Sequence, residues 1–411
     1  MVVPEALRIQ SFLKLGYFID YARTRYPIDF SRTNKRLYVD ATREEILACG
    51  KECLWRTFSQ SFKVGQDNVV PISGGLDSRL ILGALLEHTE ARNLSTYTFG
   101  VPGSYDYELG CLVAKEFGTR HVAFSLKDIS YHEDDLLDFA RRSDCQAQVF
   151  YSPPLREVLK RYGSSIIWSG YIGDLVAGSH LYAQPSPTLA DAKRRHLKRR
   201  NFVRSTKLHT CADEDLLPFM GGGTTGIGPE DVTFDEQVTF AEAVAKYTEP
   251  LVLFQGFEYK TPLINSPWMD FMLSAPDHLR LGEGLMIEIA RSAFPRLFGL
   301  PSKNSLGLTL GANPRYLTAL KYLNKGRKLL HRFVPAFSDP HVLYNDYDQA
   351  IRSSPDVRRI VLESIQQLKR RGIVGWLDLD AIVRRHMRRI RNHGDALIIL
   401  ASLELVLRAR E

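Results

Sequence analysis

The sequence has no apolar run approaching the roughly 20 residues that a membrane-spanning helix needs. Its nearest candidate, Ala396 to Leu407, is short and carries Glu404, so no span is expected. The first residues, Met1-Val2-Val3-Pro4-Glu5, lack the basic start and apolar core of a secretory signal. Cysteine is sparse: five among 411 residues (Cys49, Cys53, Cys111, Cys145, Cys211), odd in number and scattered. That pattern argues against a disulfide framework and for reduced thiols in a cytoplasmic protein. Cys49 and Cys53 share a helix face, but no second Cys/His pair completes a zinc site. The Gly-x-x-x-x-Gly-Lys-Ser/Thr phosphate loop is also missing, so any nucleotide must be held by another device.

Negative charge is in deficit, leaving a net charge of +7. The surplus lies in Lys193-Arg194-Arg195 with Lys198-Arg199-Arg200, and in Arg384-Arg385 with Arg388-Arg389. Such clusters suit polyanions. Aromatic residues for base stacking do not interleave with them, so they read as solvated helix faces, and nucleic acid is not the expected partner.

What the chain does have is Val69-Val70-Pro71-Ile72-Ser73-Gly74-Gly75-Leu76-Asp77-Ser78. An apolar run stops at a Ser-Gly-Gly turn, and Leu76, Leu80, Ile81, Ala84 and Leu85 then recur at helical spacing. This predicts strand, tight loop and helix N-terminus. Free N–H groups at such a start form a concave anion site that the helix dipole favours. Asp77 beside it needs a cation between carboxylate and phosphate. A nucleotide phosphate with Mg²⁺ is the expected ligand.

Around this stretch the pattern alternates. Strands are expected at 68–72, 94–99, 120–125 and 164–168, with helices at 76–88, 106–117, 133–142 and 153–162. That predicts a doubly wound parallel α/β sheet with helices on both faces. Thr42 and Glu45 form a capping box before a helix over 41–63. Residues 182–232 look irregular, either a mobile lid or a disordered insertion, and end in Gly221-Gly222-Gly223-Thr224-Thr225-Gly226. From about residue 233 the chain looks mainly helical. Ala396 to Leu407 is expected to pack on the domain, and its apolar face is also compatible with a homodimer contact.

In parallel sheets ligands bind beyond the carboxyl ends of the strands. Three loops should meet there: Ser73-Gly74-Gly75, Gly100 to Asp106, and Ser169-Gly170-Tyr171-Ile172-Gly173-Asp174. Asp77 and Asp174 are therefore candidate Mg²⁺ ligands.

These loops resemble the synthetase domain of glutamine-dependent asparagine synthetases, within the PP-loop ATP pyrophosphatases. Glu258-Tyr259-Lys260-Thr261-Pro262-Leu263-Ile264-Asn265 is similar to the family's Glu-Val-Arg-Val-Pro-Phe-Leu-Asp block. Pro301-Ser302-Lys303-Asn304-Ser305-Leu306-Gly307 is similar to its lysine loop. The resemblance divides the chain into 1–40, like the tail of a glutaminase domain; 41–310, the ATP-binding domain; and 311–411, a basic helical extension. On this resemblance no glutaminase domain is expected, and residue 2 is Val2 where that domain has its catalytic cysteine.

The resemblance implies an AMP-forming carbon–nitrogen ligase. ATP adenylates a carboxylate, and ammonia or an amine displaces AMP. The nitrogen comes from a free donor or from a separate glutaminase subunit. Ser73, Gly74, Gly75 and Ser78 would hold pyrophosphate, with Gly170 at the nucleotide and backbone near Ile72 and Phe99 lining adenine. Glu258 would be the general base, and Lys303 would neutralise developing charge. Tyr171 and Leu175 stand where the family has glutamates, and Asn265 replaces an aspartate. L-Aspartate is therefore not assumed as the substrate. Two other readings are a PP-loop enzyme modifying RNA and a non-catalytic scaffold that keeps the fold.

Overall fold

A computed structural model describes residues 2–63, 65–146, 148–222, 227–333 and 342–411. Gly223 to Gly226, most of the glycine run, lie outside the described residues.

The first helix, α1 (Glu5–Leu15), is followed by α2 (Arg43–Ser61). Helix α2 begins with the expected capping box: Thr42 Oγ1 accepts from Glu45 N–H, and the Glu45 carboxylate accepts from Thr42 N–H. The sheet then builds as β1 (Asn68–Pro71), α3 (Asp77–Leu86), β2 (Ser95–Gly100), α4 (Tyr105–Phe117) and β3 (Arg120–Ser125). After α5 (Glu133–Arg142) and α6 (Leu155–Tyr162), the chain returns to the other side of β1 as β4 (Ile166–Trp168). Short α7 (Gly173–Ala177) and α8 (Leu189–Arg199) precede the edge strand β5 (Glu258–Lys260).

All five strands are parallel, in the order β3-β2-β1-β4-β5. Val69 lies opposite Ser95 on one side and Ile167 on the other. The doubly wound sheet is therefore as expected. Pro71 is tolerated because it closes β1.

The period-two alternation of strands sends neighbours to opposite faces. Val70, Ile166 and Trp168 join a core with α2, α3 and helix Pro267–Ser274. Val69, Tyr97 and Ile167 join another with α1, α5 and the C-terminal helices Pro355–Arg371 and Gly394–Arg410. Both faces are covered over the centre of the sheet, where β1 and β4 are the most apolar strands. Ala396 to Val406 are buried throughout, so the apolar face considered for a dimer contact is covered within the chain. Buried Glu404 there accepts from Arg371 at 2.7 Å. Among the described residues no helix is long and apolar enough to cross a membrane.

The segment read as irregular contains α8. Thr188 caps it, and Ala192 and Leu197 pack on Leu15, Tyr17 and Ile19. Leu189, Ala192, His196 and Leu197 stand at helical spacing, which agrees with the helix face read from the basic cluster there. Its first charge cluster is partly used internally: Lys193 donates to Met220 O at 2.8 Å, and Arg195 pairs with Asp235 at 3.1 Å.

Candidate active site

β1 connects onward to one side of the sheet, and β4 returns on the other. The crevice between their carboxyl ends is the switch point of the topology, where open α/β sheets bind ligands. The loop after β1 carries Ser73 to Leu76, and the loop after β4 carries Ser169 to Ile172. A cavity of about 340 Å³ opens between them, lined by Ser73, Gly75, Asp77, Ser78, Gly170, Asp174, Glu283, Lys303 and Asn304.

The loop after β1 is held by its own side chains. Ser73 N–H donates to Ser78 Oγ at 3.3 Å, and Gly75 N–H to Ser73 Oγ at 3.2 Å. Gly74 N–H donates to Asp106 Oδ1 at 3.1 Å. Lys303 Nζ donates to the same oxygen at 2.9 Å, while Lys303 N–H donates to Gly74 O at 3.0 Å. A carboxylate thus rests on the nest that sequence assigns to a phosphate, and an ammonium faces it.

Asp77 opens α3 and faces the third loop closely. A Cβ on Gly170 would lie 2.8 Å from Asp77 Cβ, and one on Gly173 would lie 3.0 Å from Asp77 Oδ1. Side chains at either position would displace the carboxylate, so glycine is required by close approach. Ile172 between them has φ +50°, a strained value for a β-branched residue.

Burial, and then the charges of Asp174 and Glu283, hold the Asp77 carboxyl well above the usual carboxylate range, with Lys303 opposing. Burial, and then Asp174, push Glu283 up to about 7, opposed by Asn304 and Lys303. Asp77, Asp174 and Glu283 line one cavity whose ammonium, Lys303, already pairs with a fourth carboxylate, Asp106, so a cation there relieves repulsion. Among the described residues no group of three His, Cys, Asp or Glu side chains could by itself hold a metal. A Mg²⁺ ion takes one or two carboxylates plus phosphate oxygens, and Asp77 and Asp174 both line this cavity. Asp77 and Asp174 fit that role.

The structure brings Ser73, Gly74, Gly75, Asp77, Ser78, Gly170, Asp174 and Lys303 together. It does not bring Glu258. Parallel pairing sets Glu258 opposite Ile166, at the start of both strands, and the crevice lies beyond their other ends. Glu258 is exposed there and does not line the cavity. Ile72 and Phe99 lie at the carboxyl ends of adjacent strands, also outside the lining. Ile72 N–H donates to Tyr97 O at 2.8 Å, and its carbonyl accepts from Thr98 Oγ1 at 2.7 Å. Phe99 packs edge-on against Tyr344, 5.8 Å between centroids.

The sequence reading assigned no role to three side chains at this site. Asp106 lies in the first turn of α4, just after the second loop. Asn304 follows Lys303 and donates to Glu283 Oε2 at 3.3 Å. Glu283 stands between two glycines with φ +66°, an unusual setting for a carboxylate and its one local signal.

The family model for asparagine synthase matches residues 69–303. Two relatives from Arabidopsis thaliana are asparagine synthetase (glutamine-hydrolysing) 2, 27% identical, and asparagine synthetase (glutamine-hydrolysing) 3, 28% identical. Each similarity covers 29% of this chain and 22% of the relative, so the chain spans about a fifth of their length.

Proposed function

We propose that this chain, which belongs to the asparagine synthase family, activates a carboxylate as its acyl-adenylate and transfers the acyl group to ammonia or an amine. The observation that carries this reading is the meeting of the Ser73–Ser78 loop, two carboxylates and Lys303 at the strand switch point. A phosphate nest alone would suit many nucleotide sites. A lysine docked on that nest from a loop some 230 residues downstream suits stabilisation of a departing polyanion.

In this reading the substrate carboxylate attacks the α-phosphorus of ATP, and pyrophosphate leaves into the nest of Ser73, Gly74, Gly75 and Ser78. Lys303 turns from Asp106 toward the phosphates. Asp77 and Asp174 would hold Mg²⁺, which supplies charge neutralisation at the phosphate oxygens. The amine nitrogen then attacks the acyl carbon, AMP departs, and one proton is released. We assign its removal to Glu283 rather than Glu258, because Glu283 lines the cavity and is held there by Asn304, whereas Glu258 is exposed outside it. The donor is ammonia, an amine, or ammonia delivered by a separate glutaminase subunit.

The test is stoichiometry. With a competent acid and ammonium, AMP, pyrophosphate and amide should form in equal amounts. AMP and pyrophosphate without amide in the presence of every donor tried would contradict the transfer step.

A further inference from the structure

Asp174 borders two cavities. The second, about 690 Å³, is lined by Leu175, His180, Tyr182, His196, Arg199, Arg200, Phe202, Arg204 and Tyr247 among others. It is twice the volume of the phosphate-side cavity and falls within the usual range for small-molecule pockets. A short polar relay joins them: Ser179 Oγ donates to Asp174 Oδ2 at 3.1 Å and lies 2.6 Å from His180 Nδ1. His180 lines this cavity together with Asp174, Arg199 and Arg200.

The wall is cationic, and its charge is unspent. Among the described residues Arg199, Arg200 and Arg204 pair with no carboxylate. The Arg199 guanidinium lies 4.8 Å from the Tyr182 ring, and that of Arg200 lies 4.8 Å from the Tyr247 ring. Arg200 Nε donates to Leu15 O at 3.2 Å. Stacking on a ring fixes a guanidinium plane and leaves N–H edges for an anion. The C-terminal dipole of α8 accounts for basic residues at this end of the helix, but not for the aromatic cavity before them. Its floor is the π-helical stretch Phe240–Thr248, which supplies Ala243 and Tyr247. Such π segments occur often at binding sites.

We infer that this cavity takes the acid substrate, and that the acid carries a bulky apolar body and a second anionic group held by Arg199 and Arg204. The inference rests on the ligase reading for which end reacts. The reacting carboxylate must approach the phosphate side of Asp174, which leaves the arginines to a different anion. Tyr182, Phe202 and Tyr247 receive the apolar body, and the cavity is larger than a four-carbon acid fills.

The test is calorimetric binding to the full chain without ATP. The probes are 2-benzylsuccinate, succinate (no ring) and 3-phenylpropionate (one carboxylate fewer). The first should bind about tenfold more tightly than either of the others. Arg199→Gln and Arg204→Gln should each weaken it by roughly fivefold, while the affinity for a fluorescent ATP analogue stays unchanged. Equal binding of the three probes, no binding of any, or indifference to both substitutions overturns the inference. Arginine-dependent binding with no acid-dependent ATP chemistry would uphold the cavity and contradict the ligase reading. Acid-dependent ATP chemistry indifferent to Arg199 and Arg204 would do the reverse.

Discussion

Lys303 Nζ lies 2.9 Å from Asp106 Oδ1, and the same oxygen accepts Gly74 N–H at 3.1 Å. Asp106 therefore competes with pyrophosphate for both the nest and the lysine. Asp106→Asn keeps an acceptor for Gly74 while removing the competing charge. Product inhibition by pyrophosphate should strengthen about three- to tenfold, since a part-exposed ion pair is worth about 1 kcal/mol. The measurement is the inhibition constant of added pyrophosphate, and an unchanged constant counts against the competition.

Asp77→Asn should have opposite effects on stability and activity. Burial, and then the charges of Asp174 and Glu283, push its carboxyl well above its ordinary range. A neutral amide relieves that repulsion, so without Mg²⁺ the variant should unfold at higher denaturant, by about 1 kcal/mol. Pyrophosphate release should fall below detection. A variant that is both less stable and fully active would refute the assignment.

Glu258 and Glu283 are separable. Glu258→Ala, at the exposed start of β5, should leave amide formation within about twofold, in the range of surface changes. Glu283→Gln should slow amide formation by about 100-fold or more, as loss of a general base does, while sparing adenylation. Single-turnover quench measurements of acyl-adenylate and amide resolve the two steps. The reverse ranking would return the base role to Glu258.

Acid sensitivity should come from buried neutral histidines. Burial, then the Arg352 charge, lower His386 to about 4, with Asp348 opposing. His386 Nδ1 accepts His393 N–H at 3.1 Å. Between its unfolded value near 6.5 and about 4, the unfolded chain binds a proton that the folded chain does not. Stability is therefore full above about pH 6.5 and declines as pH falls through that window. His386→Asn keeps an acceptor and should flatten the dependence by about one proton. Urea unfolding at several pH values from 6.5 down to 4 reads the slope, and an equal slope in both proteins contradicts it.

Much of this was legible in residues with strong local rules. The capping box at Thr42 and Glu45, the Ser-Gly-Gly turn and the alternation through β1 to β4 follow from propensity and period. The three loops follow from topology once the strands are placed. Helix α8 was legible only in part: its basic cluster reads as a helix face, but Pro, Gly and basic residues around it make 182–232 as a whole read as irregular. Glu258 lies apart from the cavity for a different reason. A motif gives order along the chain, whereas the three-residue register of β5 on β4 decides which end of the sheet a side chain reaches. Beyond the glycines that flank Glu283, Glu283 and Asp106 acquire their setting from distant partners, Asn304 and Lys303.

The most direct test of the central claim is ATP–pyrophosphate exchange over a broad panel of carboxylic acids, with Mg²⁺, with and without glutamine and ammonium. The account predicts exchange that requires an acid, needs neither nitrogen source, and disappears in Asp77→Asn and Asp174→Asn. Exchange that proceeds without any acid, or that survives in both variants, would contradict it.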